Sequence, residues 1–224
     1  MLKKGASRQA AAPFARRLVV MVKEPKAGRV KTRLSREIGT VAATQFYRHA
    51  AAAVIGRLSR AQGWQTWLSV APDTAVGGPA WDRHVPRRKQ GSGDLGDRMQ
   101  GIMDWPGRGP IIIVGTDIPA IEPRHIREAF RRLGGADAVL GPTPDGGYWL
   151  VGLKRCPRVL APFGRVRWSS ADTLLDTVGN FDRQSVAFVA RLRDVDDASE
   201  WEVVRGWSGR RVLPLALRAI EKDA

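Results

Sequence analysis

The sequence predicts an α/β protein: a three-layer α/β/α sandwich on a mostly parallel sheet. Three observations carry this expectation. Strand-like runs alternate with longer helix-like segments, the signature of repeated β-then-α units. The clearest strands, residues 18–22 (LVVMV) and 111–114 (IIIV), are apolar at every position, as strands covered on both faces should be. Polar, glycine-rich segments follow several strands directly, where the carboxyl ends of a parallel sheet gather ligands.

Element by element, residues 18–22 open the sheet. Thr40 is placed to cap a helix running to about residue 62. Its stripe of Tyr47, Ala51, Val54, Ile55 and Leu58 recurs every three or four residues, and Gly63 is placed to end it. Residues 64–70 alternate loosely as a second strand, followed by a Pro/Gly-rich loop to Pro79. Residues 94–103 read as a short helix and 111–114 as the strongest strand. Pro123 suits the first turn of a helix that places Ile126, Phe130 and Leu133 on one face. Residues 136–140 and 148–153 read as strands around a glycine-rich turn, 170–178 as a helix, 185–190 as a strand, and 201 onward as mostly helical. The chain start carries no acid and no signal-peptide core. A transit peptide shares that composition, but the expectation is a flexible basic tail over residues 1–16 and a single domain over 17–224.

Composition narrows the function classes. With 43% apolar and 26% charged residues, the 224-residue chain can bury a core without staples. The longest unbroken apolar run, residues 50–55, is far short of the ~20 residues of a membrane-spanning helix. The single cysteine, Cys156, excludes an intrachain disulfide and points to a reducing, cytoplasmic setting. Net charge is +15, and 29 of the 37 cations are arginine. Such a surface attracts nucleic acid, anionic lipid or nucleotide phosphates. The cations are spread along the chain, however, and arginine richness also follows from high genomic G+C, so charge alone names no partner.

The motifs say more. Residues 23–33 (KEPKAGRVKTR) follow the first strand and set Lys23, Lys26, Arg29, Lys31 and Arg33 around Gly28 and Thr32. A solvated basic loop would look similar, but a flexible glycine among cations at a strand end favours phosphate binding. The spacing is not that of a Walker A loop. Residues 90–99 (QGSGDLGDRM) offer Gln90, Gly91 and Gly93 to a base or sugar pocket, or merely lead to Asp94 as a helix cap. Asp117 follows the strongest strand. A carboxylate there suits a divalent cation, although Pro119 also allows it a turn-capping role. Asp145-Gly146-Gly147 permits close approach of a second substrate, and serves equally as a plain hairpin turn. Asp194 and Asp196 fall on one side of an extended segment, fitting a cation or a salt bridge to arginine. His49, His84 and His125 lack metal-ligand spacing. Trp64, Trp67, Trp149 and Trp168 pack the core or line a pocket.

In order along the chain, KEPKAGRVKTRL (23–34), QGSGDLGDRM (90–99), GTDIP (115–119), GPTPDGGYWL (141–150), RWS (167–169) and RDVD (193–196) resemble the DUF2064 family over residues 18–205. Its members are glycosyltransferase-like, with the nucleotide-diphospho-sugar transferase (GT-A) fold, and some are called arsenosugar-biosynthesis glycosyltransferases. The family is similar at a distance to 2-phospholactate guanylyltransferases. Lys23-Glu24 departs from the commoner family form.

The resemblance implies that Lys31, Thr32 and Arg33 hold nucleotide phosphates. It implies that Asp117, with Asp194 and Asp196, holds Mg²⁺ or Mn²⁺. The turn of Asp145, Gly146, Gly147 and Tyr148, with Trp168, would face the acceptor. The expected activity is a metal-dependent glycosyltransferase acting on a nucleotide sugar and a small-molecule acceptor. Lys31 would stabilise the leaving group and Asp145 would serve as base. The alternative is a nucleotidyltransferase joining an NTP to a small phosphorylated acid. Nucleic acid is not an expected partner; a non-enzymatic basic binder would show affinity that falls steeply with salt and ignores divalent ions.

Overall fold

The computed structural model describes residues 15–193. The expected tail, the helical segment from residue 201, and Asp194 and Asp196 lie outside the described residues. Seven strands form one sheet: β1 (Arg17–Lys23), β2 (Gln65–Ala71), β3 (Arg87–Lys89), β4 (Ile111–Val114), β5 (Ala138–Pro142), β6 (Tyr148–Leu153) and β7 (Val186–Phe188). Their order is β3-β2-β1-β4-β6-β5-β7. Only β6 runs antiparallel to its neighbours. The connection from β5 to β6 is a tight turn, too short for the crossover that a parallel pair requires.

The helices are α1 (Leu34–Ile38), α2 (Thr40–Ser59), α3 (Leu95–Met103), α4 (Pro123–Arg132) and α5 (Thr173–Gly179). The first strand shows why both sheet faces are covered. Leu18, Val20 and Val22 join a core cluster with Tyr47, Val54 and Leu58 of α2 and Phe130 of α4. Val19, one residue out of step, joins a second cluster with Met99 and Ile102 of α3. Side chains alternate across a strand, so an all-apolar run feeds two cores at once.

The expectations for β1, β2, β4, β6, α3 and α4 hold to within a residue or two. Others differ for physical reasons. Gly39 (φ 85°), not Thr40, is the N-cap of α2, and Thr40 is its first helical residue. That helix ends at Ser59, short of Gly63. β5 starts at Ala138, α5 at Thr173, and β7 is shorter than expected. Neither α1 nor β3 is expected from the sequence. β3 is three cations long and pairs with β2 through its backbone. Its Arg87 guanidinium turns inward to donate to the carbonyls of Gly78 (2.7 Å) and Val76 (3.2 Å), fastening the Pro/Gly-rich loop.

Both helix starts beside the cleft are capped reciprocally. Asp94 accepts from the Asp97 amide, and Asp97 accepts from that of Asp94. On α4, the Glu122 amide donates to His125 Nδ1 at 3.1 Å. Burial, reinforced by Arg124 and opposed by Glu122, lowers the His125 pKa from its ordinary value of 6.5. The unfolded chain therefore takes up this proton at higher pH than the folded one. The contribution is complete above the unfolded pKa and is lost as pH falls through the lower folded one. Unfolding in denaturant should show lower stability at pH 5.5 than at pH 7.5. His125→Ala should remove this part of the pH dependence.

Candidate functional site: a cleft at the strand ends

β1 hands the chain to a basic loop at its carboxyl end, and α2 fixes the transfer. The Lys23 amide donates to the Tyr47 hydroxyl at 2.8 Å, while that hydroxyl donates to the Lys23 carbonyl at 3.0 Å. Burial is the main cause of the raised pKa of Tyr47, which keeps it a neutral clamp. The Glu24 amide then bonds the Ala71 carbonyl, tying the loop to β2. Farther on, Lys31 adopts φ 46°, a conformation rare for a residue with a Cβ and found where a site over-determines the backbone.

That backbone turn sends the Lys31 side chain inward, leaving it only 5% exposed. Its ammonium lies 2.8 Å from Asp117 Oδ1, and the Asp117 side chain remains 52% exposed. Asp117 arrives from the end of β4 by way of Gly115 and Thr116. A buried cation is thus covered by a carboxylate that faces the cleft.

Two cavities meet at this pair. The first, about 570 Å³, is lined by Lys23, Arg29, Lys31, Thr32, Arg33, Gln90 and Arg98. The second, about 460 Å³, is lined by Thr143, Asp145, Gly147, Trp168 and Ser169. Arg33, Gly115, Asp117, Tyr148 and Trp149 line both, so the cleft is continuous.

The expected phosphate residues Lys23, Lys31, Thr32 and Arg33 therefore come together with Gln90, and Asp117 joins them to Asp145, Gly147, Tyr148 and Trp168. Gly28, Gly91, Gly93 and Gly146 are not among the lining residues of either cavity. They shape the loops instead. Gly91 donates its amide to Asp73 at 3.0 Å, and Gly93 offers its carbonyl to Arg98 Nε at 3.0 Å. Arg98 is the residue that sequence reading missed. Its Nη1 also donates to Gln90 Oε1 at 3.3 Å, while Gln90 Nε2 donates to the Ser69 carbonyl at 3.2 Å. The only sequence signal was its place inside the QGSGDLGDRM motif.

The turn that lines the second cavity is built by Asp145 itself. Its Oδ1 accepts from the Gly147 amide at 3.0 Å and from the Thr143 hydroxyl. Gly146 (φ 87°) offers its carbonyl to the Leu174 amide at 2.9 Å, docking the turn on α5. Burial pushes the Tyr148 hydroxyl well above its ordinary pKa, which suits it to line the cleft rather than exchange protons. Next to Trp168, Arg167 binds Asp176 and Asp172 at 2.8 and 2.7 Å, and its hydrogen bonds hold the Asp176 carboxyl down at about 2.

Among the described residues, no group of three His, Cys, Asp or Glu gathers to hold a metal. Asp117 is the one carboxylate common to both cavities. A single exposed carboxylate beside a cation-lined cavity fits a Mg²⁺-type ion, which commonly takes its remaining ligands from substrate phosphates and water.

Comparison with known proteins agrees with the architecture. A protein from Desulfovibrio desulfuricans G20, assigned as a nucleotide-diphospho-sugar transferase, is 28% identical. The match covers 88% of this chain and 89% of that one, with a TM-score of 0.78. The 4-diphosphocytidyl-2C-methyl-D-erythritol synthase of Anaerococcus prevotii DSM 20548 is 8% identical, over 89% of this chain and all of that one (100%), with a TM-score of 0.59. A CMP:2-keto-3-deoxy-manno-octonic acid synthetase complexed with CTP is 12% identical, over 88% and 99%, with a TM-score of 0.55. These last two share the fold alone. No protein of curated function matches the sequence. Residues 51–170 match the family described as "Uncharacterized protein conserved in bacteria (DUF2064)", and the chain belongs to that family.

Proposed function

We propose that this protein is a nucleotide-dependent transferase, and specifically a glycosyltransferase that moves a sugar from a nucleotide sugar to a small acceptor. One observation carries the reading: the Lys31–Asp117 pair stands where a cation-ringed cavity opens into a second, separately lined one. The first cavity suits a diphosphate and the second an acceptor, with the reacting bond between them. The assignment of the Desulfovibrio desulfuricans protein supports the same reading.

In this mechanism Lys23, Arg29 and Arg33 bind the diphosphate, and Lys31 lies beside the bond that breaks. The acceptor hydroxyl attacks the anomeric carbon. The bond from that carbon to the β-phosphate oxygen breaks, and the nucleoside diphosphate leaves with the electron pair. Lys31 and Arg33 stabilise the charge that develops on the leaving oxygen. The hydroxyl proton passes to Asp145 Oδ2, the oxygen opposite the one engaged in the turn. Asp117 would hold Mg²⁺ or Mn²⁺, which supplies Lewis-acid neutralisation of phosphate charge when bound. Among the described residues no helix is long and apolar enough to cross a membrane. With a single cysteine, that is compatible with a cytoplasmic site of action.

The five cations of the first cavity match a triphosphate as well as a diphosphate, and this sustains nucleotidyl transfer as the second reading. Product analysis separates the two. The purified protein is incubated with nucleotide sugars or with NTPs, plus Mg²⁺ or Mn²⁺ and a pool of small hydroxylated and phosphorylated acceptors. Nucleoside diphosphate release is the expected result. Pyrophosphate release would establish the second reading, and no nucleotide binding or turnover would overturn both.

A further inference from the structure

We propose that the second cavity takes an uncharged, hydroxyl-bearing acceptor of the sugar or polyol class, not a phosphorylated one. The inference rests on the transferase reading and narrows it.

Charge is divided unevenly along the cleft. Lys23, Arg29, Lys31 and Arg98 face the first cavity only. Among the described residues, Arg33 is the sole cation lining the second, at the border that both share. The adjacent cation, Arg167, is committed elsewhere. Its Nη1 lies 2.7 Å from Asp172, and its Nη2 and Nε lie 2.8 and 2.9 Å from Asp176. A phosphorylated acceptor carrying about −1.5 to −2 charges would meet the Asp145 carboxylate there. Arg33, its one cationic partner, would already stand beside the donor phosphates. Like charges in a partly enclosed space disfavour that complex.

The rest of the lining suits a neutral ring. Tyr148, Trp149 and Trp168 supply flat apolar surface, and Ser169 adds a hydroxyl at the rim. Trp149 is held by its Nε1 donating to the Ala190 carbonyl at 3.0 Å, so its ring is a fixed wall. Apolar faces with a few placed polar groups recognise molecules that are themselves apolar on the face and polar at the edge. A volume of about 460 Å³ admits one such small molecule.

Matched pairs test this on the full chain: glucose and glucose 6-phosphate, ribose and ribose 5-phosphate, glycerol and glycerol 3-phosphate. Binding is followed by saturation-transfer NMR, with UDP, GDP or CDP (whichever binds) saturating the first cavity. At least one neutral member should bind tenfold or more tightly than its phosphorylated partner, and Trp168→Ala should weaken it at least fivefold. Phosphorylated members binding as well as the neutral ones would overturn the inference while leaving nucleotide-dependent transfer intact. Silence from every neutral member, or a preference indifferent to Trp168→Ala, would do the same. Failure of all nucleotides to bind would instead overturn the transferase reading, and this inference with it.

Discussion

Replacing Lys31 by methionine is expected to lower turnover at saturating donor by about 10²–10³-fold, the usual cost of removing one preorganised donor at a developing charge. Lys31 is chosen over the other cations because it is nearly buried and pairs with Asp117, which lines both cavities. An interaction in such a place is less screened by water and salt than those of Lys23 or Arg33 at the rim. The fold should survive. The partner left behind, Asp117, is about half exposed and can be solvated, so little stability is lost with the ion pair. Asp117→Asn should depress turnover comparably and abolish any response to Mg²⁺ or Mn²⁺. The double variant should lose much less than the product of the two single effects, because each residue acts through the other. Steady-state kinetics beside thermal melts decide the matter. Turnover within threefold of the wild type for Lys31→Met, with an unchanged melt, would remove this pair from the chemistry.

Gly146→Ala is expected to be strongly destabilising, by about 3–5 kcal/mol, equivalent to a fall in melting temperature of roughly 6–20 °C. Two costs add at this position. The backbone sits at φ 87°, which strains any residue with a Cβ. That Cβ would also fall well inside van der Waals contact with the backbone carbonyl oxygen of Ala171. Backbone cannot rotate aside as a side chain can, so either the turn moves or the segment leading into α5 does. The Gly146 carbonyl bond to the Leu174 amide would break in both cases. Gly28→Ala is the control. Its φ of 74° is similarly unusual, but nothing lies within 4 Å of the added atom. It should cost about 1 kcal/mol. Equal melts for the two variants would show that contact with Ala171 does not govern the turn.

How much of this was readable beforehand depends on what each element is made of. β1 and β4 were legible because continuous burial demands continuous apolar residues, and LVVMV and IIIV supply them. α1 and β3 were not. Five and three residues are too few for periodicity, and β3 contains only cations, so its strand character resides in backbone pairing with β2. The basic loop was legible as a cluster of cations and glycine after a strand, and its cations do line the first cavity. The partnership of Lys31 with Asp117 was not, since it depends on a left-handed backbone at a lysine and on β1 and β4 lying side by side. Tyr47 was read as one member of an apolar stripe. Its ring does belong to the core, but its hydroxyl also holds Lys23. Arg98 passed unnoticed because a lone cation on a short helix resembles any solvated charge. Asp145 drew notice as a candidate base, whereas half of its carboxylate makes the turn that presents the other half.

The cationic make-up of β3 bears on how these molecules coexist at high concentration. An open sheet presents unsatisfied backbone groups along its margin, which invites a strand from another molecule to continue it. At this margin an identical molecule would set Arg87, Arg88 and Lys89 against the same three residues of its own, and the repulsion discourages lateral growth of one sheet into the next.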